Sequence, residues 1–267
     1  MPSIILSDNG VSSGSAGLKS TASNDGQLAL QTATSGGTAT TALSISTGQI
    51  VTVVNDALVN GVTVGKGAGV VGTNTAMGLN ALATNSTGAQ NTALGYYAGN
   101  SNSIGAYMTA IGSGAARYTT GDGVTAVGFA ALNNNSSGTN NTAVGTYALN
   151  QNTTASNNTA VGYQAGYTNT TGTRNTFVGR GTGYTSNGDD NTAVGRNAFY
   201  NNTTGSGNAV LGVDALTSNT TGALNTAIGY LALNANTTAS NNTARSEEHT
   251  SELQSHHDLV CRLLLEK

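Results

Sequence analysis

Apolar positions in this chain come in short pulses. From about residue 75 onward each pulse is an alternation, Thr-Ala-aliphatic, closed by glycine, as in Thr142-Ala143-Val144-Gly145 and Thr226-Ala227-Ile228-Gly229. The closing glycines are Gly78, Gly95, Gly112, Gly128, Gly145, Gly162, Gly179, Gly195, Gly212 and Gly229, spaced by 17 residues with two intervals of 16. Gly65 belongs to an earlier, shorter unit. Alternation at period two predicts a strand whose Thr and aliphatic side chains point to one side while Ala points to the other. The glycine then permits a backbone turn that other residues resist.

Ala returns three residues after the repeat glycine, at Ala81, Ala98, Ala115, Ala131, Ala148, Ala165, Ala198, Ala215 and Ala232, with Thr182 the exception. A small residue held at that place fits the inside of a tightly wound coil. Polar stretches between pulses, Asn152 to Thr154, Asn169 to Gly172 and Asn219 to Gly222, are turn-forming, because Asn and Thr side chains bond nearby backbone and Gly supplies positive φ. A unit this short excludes a pair of helices. It predicts one coil of a β-solenoid, with two short strands and two turns per coil.

About eleven such coils, stacked at roughly 4.8 Å, make a rod on the order of 50 Å long, held by neighbour contacts and by Asn and Thr ladders. Val144, Leu149, Tyr163, Phe177, Phe199 and Tyr230 exceed the volume expected inside so thin a coil. They are therefore predicted to bury against further copies of the chain around a shared axis, as a cyclic homo-oligomer.

Residues 1–58 lack the repeat. Leu28 to Thr32 and Ala42 to Ser46 alternate as strands do, and Thr47-Gly48 followed by Ile50 to Val53 predicts a hairpin, with Gly36-Gly37 as a joint. The domain reading is an N-terminal β-rich attachment or stalk segment over 1–58, a repeat domain over 59–244 and a non-native tail over 245–267.

Composition sharpens this picture. Charged residues are 8% of the chain, against about 25% in an average globular protein. Disorder of the usual kind needs high net charge and few aromatics, whereas the net charge is −3 and ten Tyr recur in register. No cluster of Lys and Arg offers a footprint for a nucleic-acid backbone. No apolar run approaches the ~20 residues of a membrane helix, and Met1 to Asp8 lacks the basic and apolar regions of an export signal.

The tail breaks abruptly with the rest. Every Glu, His and Cys of the chain lies there, at Glu247, Glu248, Glu252, Glu266, His249, His256, His257 and Cys261. Arg245 to Ser255 and Asp258 to Lys267 resemble the translated halves of a sequencing adapter, with His256 and His257 between them. The resemblance implies that the repeat array stops in mid-unit, Arg245 standing where an aliphatic residue is due. A nucleophile or metal site built from those His and Cys is set aside accordingly.

Candidate chemistry elsewhere is sparse. Asp189 and Asp190, beside Gly188, are the one pair of adjacent carboxylates in the repeats and a weak candidate for Ca²⁺. No His stands near to complete an acid/base pair, so the chain is expected to be no enzyme and to hold no cofactor. Tyr96, Tyr97, Tyr147, Tyr163, Tyr167, Tyr184, Tyr200 and Tyr230 recur at shared repeat positions, where an exposed sugar- or protein-binding stripe, as at Tyr147 and Gln164, competes with packing in the core or at an oligomer seam, and packing is the favoured role for most of them. Asn-x-Ser/Thr sequons are explained by turn chemistry.

The unit Asn141-Thr142-Ala143-Val144-Gly145-Thr146-Tyr147-Ala148, repeated at Asn225 to Ala232, resembles the head repeat of YadA-like trimeric autotransporter adhesins over about residues 59–244. The resemblance implies a left-handed parallel β-roll assembled as a homotrimer. Longer tandem units of this kind also resemble those of phage tail fibres, as do Leu6 to Gly10 and Thr34 to Ala39. A phage tail fibre that binds a glycan or protein receptor on the host surface, located in the virion, is the first expectation. A trimeric adhesin on the bacterial surface is the second, and an ice-binding solenoid carrying Thr ladders the third.

Overall fold

The computed structural model describes residues 64–68 and 71–246 in full and, between residues 18 and 63, the backbone of strands only. The tail residues Glu247 to Lys267, with their His and Cys, lie outside the described residues. The chain divides into two compact units, Met1–Gly65 and Lys66–Lys267. Among the described residues every regular element is a β-strand, and no helix is long and apolar enough to cross a membrane.

In the first unit β1 (Leu18–Ala22), β2 (Leu28–Thr32), β3 (Thr40–Ile45) and β4 (Val51–Thr52) form an antiparallel meander. The strands expected at Leu28 to Thr32 and around Ala42 are β2 and β3, and the expected hairpin is the β3–β4 pair. A second hairpin joins β5 (Ala57–Val59) to β6 (Val62–Gly65) across Asn60-Gly61, a dipeptide suited to the tightest turns.

The second unit is a β-solenoid. Its strands are β7 (Thr75–Met77), β8 (Thr92–Leu94), β9 (Thr109–Ile111), β10 (Thr125–Val127), β11 (Thr142–Val144), β12 (Thr159–Val161), β13 (Thr176–Val178), β14 (Thr192–Val194), β15 (Ala209–Leu211), β16 (Thr226–Ile228) and β17 (Thr243–Arg245). Each described pair is parallel, with Thr on Thr, Ala on Ala and aliphatic on aliphatic, except that β13 carries Phe177 and β15 Val210 in the Ala place and β15 starts with Ala. Arg245 falls in register with Ile228.

Each coil contains one strand, where the spacing had predicted two. The far side of the coil is still bonded from coil to coil, as in Leu149 N to Ala165 O at 2.9 Å and Gln151 N to Tyr167 O at 2.9 Å. It is not extended, because the residues two and four after the repeat glycine sit in the left-handed region, for example Tyr147 at φ 60° and Leu149 at φ 46°. Positive φ at alternate residues breaks the pleat of a strand while leaving N–H and C=O pointing along the coil axis.

The interior is lined first by the middle strand residue and the Ala three after the glycine, Ala143 and Ala148 among them, both fully buried. Thr182 takes the Ala place because its buried hydroxyl donates to the Gly195 carbonyl. Leu149, Phe177 and Phe199 are also fully buried within the chain itself, contrary to the expectation that they need a partner. Volume is exchanged between coils. The position four after the glycine is Leu in Leu82, Leu132, Leu149, Leu216 and Leu233, but Gly166 and Gly183 flank Phe177, and a Cβ on Gly166 would lie 2.9 Å from the Phe177 ring.

Two columns of buried asparagine complete the interior. In the first, interrupted by Met108 and Val124, each Asn side chain accepts from the backbone N–H of the matching residue one coil on: Asn175 N to Asn158 Oδ1 at 2.9 Å, Asn158 N to Asn141 Oδ1 at 3.0 Å and Met108 N to Asn91 Oδ1 at 2.8 Å. Its amide donates across the coil, as Asn158 Nδ2 does to Gly172 O at 2.9 Å. In the second, Asn seven residues after the glycine closes a turn on the carbonyl three residues later, as Asn169 Nδ2 does to Gly172 O at 2.9 Å. The two 16-residue coils have a turn one residue shorter and carry Thr119 and Ser186 in that place. Their hydroxyls accept instead from the next coil, Asn135 Nδ2 to Thr119 Oγ1 at 2.8 Å and Asn202 Nδ2 to Ser186 Oγ at 2.9 Å.

Candidate functional site

The repeat glycines Gly78, Gly95, Gly112, Gly128, Gly145, Gly162, Gly179, Gly195, Gly212 and Gly229 form one column at a corner of the coil, with φ between 111° and 145°. A Cβ on Gly145 would lie 2.5 Å from the Gly162 carbonyl oxygen and 2.7 Å from its carbon. These residues shape the corner and offer no side chain for chemistry.

Side chains before and after that corner make the most distinctive surface. The outward aliphatics Met77, Leu94, Ile111, Val144, Val161, Leu211 and Ile228 are exposed by 37–52% and lie one above another in the parallel register. Beside them, one residue after the glycine, run Leu79, Tyr96, Phe129, Tyr163 and Tyr230, exposed by 44–63%. Val144, Tyr163 and Tyr230 thus lie outside the coil interior, as expected, in contrast to Leu149, Phe177 and Phe199.

Four further tyrosines build a ladder with Phe129. Phe129, Tyr147, Tyr167, Tyr184 and Tyr200 follow one another with ring centroids 5.2, 6.1, 5.1 and 4.8 Å apart, the last two contacts stacked nearly parallel. Burial within this ladder, followed by the neighbouring phenols, raises the Tyr184 pKa. Tyr147 and Gln164 are half-buried.

The column two residues after the glycine carries side chains at Asn80, Tyr97, Ala130, Tyr147, Gln164, Asn197, Asp214 and Leu231, and glycine at Gly114 and Gly181. Each of these glycines opens a cleft. At Gly114 the cleft is about 220 Å³, between Tyr96, Tyr97, Phe129 and Asn133, and the Arg117 guanidinium sits 4.4 Å from the Tyr97 ring centre and 4.8 Å from that of Tyr118. At Gly181 it is about 300 Å³, lined by Gln164, Arg180, Asn197, Tyr200 and Thr217. The sequence reading passed over these clefts. A glycine in a column otherwise filled with side chains was the available signal.

Asp189 and Asp190 fall in the turn beside Arg174 of the preceding coil. Arg174 Nε and Nη2 donate to the two Asp190 oxygens at 2.6 and 2.8 Å, and this pair holds Asp190 below the ordinary carboxylate pKa. Asp189 Oδ1 accepts from Thr173 N at 2.7 Å and Thr173 Oγ1 at 3.0 Å. A guanidinium on both oxygens of Asp190 occupies the lone pairs that Ca²⁺ would use. The pair acts as a latch between coils. Among the described residues no group of three His, Cys, Asp or Glu side chains comes together.

Compared with protein-family models, curated proteins and solved structures, the chain matches none of them.

Proposed function

We propose that the chain is a non-enzymatic structural fibre segment of the YadA-like head-repeat kind, wound left-handed and assembled as a homotrimer, which serves host attachment in a phage tail fibre. The observation that carries this reading is the row of outward aliphatics from Met77 to Ile228, in register and open to water. A parallel sheet is ordinarily covered on both faces, and an exposed apolar strip of this length marks a surface that meets another protein. The strip passes from strand to strand in register, so copies of the same chain set side by side about a common axis can bury it, and three close into a ring with no strip left over. The remaining faces, polar and low in charge, stay outward for a receptor.

Sedimentation of the chain at micromolar concentration tests the assembly. The expected result is a species of three times the chain mass with β-rich circular dichroism; a folded monomer would refute it. Attachment is tested by saturable retention of the labelled trimer on bacterial envelopes, and the reading requires that at least one host type retain it.

A further inference from the structure

The cleft at Gly181 carries a cation, Arg180, on its exposed rim. Among the described residues the ion pairs are Arg174 with Asp189 and Asp190, and Arg196 with Asp214. Arg180 has no carboxylate partner; its guanidinium lies 6.0 Å from the centre of the Tyr163 ring, on the rim of the cleft. Asp214 is engaged by Arg196 Nη2 at 2.8 Å and by Asn197 Nδ2 at 3.1 Å, and Asn197 Oδ1 lies 2.9 Å from where a Gly181 Cβ would stand. The Gln164 amide has no side-chain partner among the described residues, and Thr217 donates to Asn197 O at 3.2 Å, keeping its own lone pairs free. Tyr200 closes the floor with its ring edge, 3.3 Å from where a Gly181 Cβ would stand.

We propose that this cleft binds an anionic sugar unit, with the sugar carboxylate paired to Arg180 and its hydroxyls bonded to Gln164, Asn197 and Thr217. The inference rests on the attachment reading and names the receptor chemistry for it. A planar guanidinium matches a carboxylate with two parallel bonds. Amide and hydroxyl groups on both sides supply the mixed donors and acceptors that a ring of hydroxyls needs. Exposed Tyr163 adds an apolar face beside them. A volume of about 300 Å³ is at the small end of ligand sites and suits a single sugar unit rather than a peptide segment. The cleft at Gly114 is a useful contrast: there Arg117 lies between two tyrosine rings, and its Nε is buried without a partner, so its charge is not offered to the cleft in the same way.

The test uses the whole chain with trigalacturonate, its methyl ester and inorganic phosphate as probes, read by saturation-transfer NMR and titration. Trigalacturonate is expected to bind, and the methyl ester, which lacks only the charge, to bind about tenfold or more weakly, the scale of a charge-assisted hydrogen bond. Arg180→Gln is expected to cause the same loss, and Gly181→Asn to abolish binding by filling the cleft. Both variants should fold, since the Arg180 column holds Leu, Tyr, Ser and Thr in other coils, and Asn80 and Asn197 already sit at φ 60° and 51° in the Gly181 column. Unchanged circular dichroism and melting verify this. Equal binding of acid and ester, binding that survives either variant, displacement by equimolar phosphate, or no binding of trigalacturonate overturns the proposal. Each of these outcomes leaves the trimer mass and envelope retention as separate tests of the attachment reading.

Discussion

Gly145 shows how tightly single residues are constrained here. Its φ of 135° lies where side chains are strained, and its missing Cβ leaves room for the carbonyl of Gly162 one coil on. Both conditions must be met at once, so Gly145→Ala is expected to lower stability by about 3–5 kcal/mol, combining backbone strain with a displaced neighbour. Urea denaturation followed by circular dichroism measures this, and a loss below about 1 kcal/mol would contradict the stacked-glycine corner. This requirement was legible in the sequence because the glycine recurs without exception. Left-handed Leu149 was not: Leu rarely adopts φ 46°, and only the packing of its side chain among the buried alanines compensates the local cost.

At the scale of the coil, the strand and its small inward residues could be read from alternation and spacing, both of which are local signals. The aromatic interior could not, because Phe177 is accommodated by glycines in its own coil and in the one before. Phe177→Ala is expected to cost about 3–5 kcal/mol through the cavity it leaves. Adding Gly183→Leu to that variant restores the pattern of the coil that holds Ala143 and Leu149, and recovery of about 1 kcal/mol or more is expected in a double-mutant cycle of melting data. Additive losses would mean that the two sites do not share volume. The reading of two strands per coil went wrong at the same scale. Composition reveals turns but not which residues between them carry positive φ. The latch of Arg174 on Asp190 likewise depends on a register between coils that a string of residues does not display.

For the whole molecule, the outward aliphatics make a specific prediction about the proposed trimer. Val161 is 37% exposed in the single chain and points away from the coil interior. Val161→Lys is therefore expected to leave the β-rich spectrum intact while converting the trimer to monomer, since a lone charge buried at a three-fold seam is strongly unfavourable. Sedimentation of the variant decides it: a trimer undiminished at micromolar concentration would place the seam on another face. Neither the proposed seam nor the Gly181 cleft is written in the repeat consensus. The first depends on how strand faces are left uncovered, the second on one departure from the consensus.

The hydrogen bonds of each coil reach one unit up and one unit down, as Leu149 N does to Ala165 O and Tyr147 N to Phe129 O. Loss or duplication of a whole unit therefore preserves the backbone ladder for every surviving coil, whereas side chains that trade volume across a boundary, such as Phe177 with Gly166, have to be matched afresh. Reach can change by whole units, while the hollow at Gly181, lined from four successive coils between Gln164 and Thr217, persists only where that run is kept together.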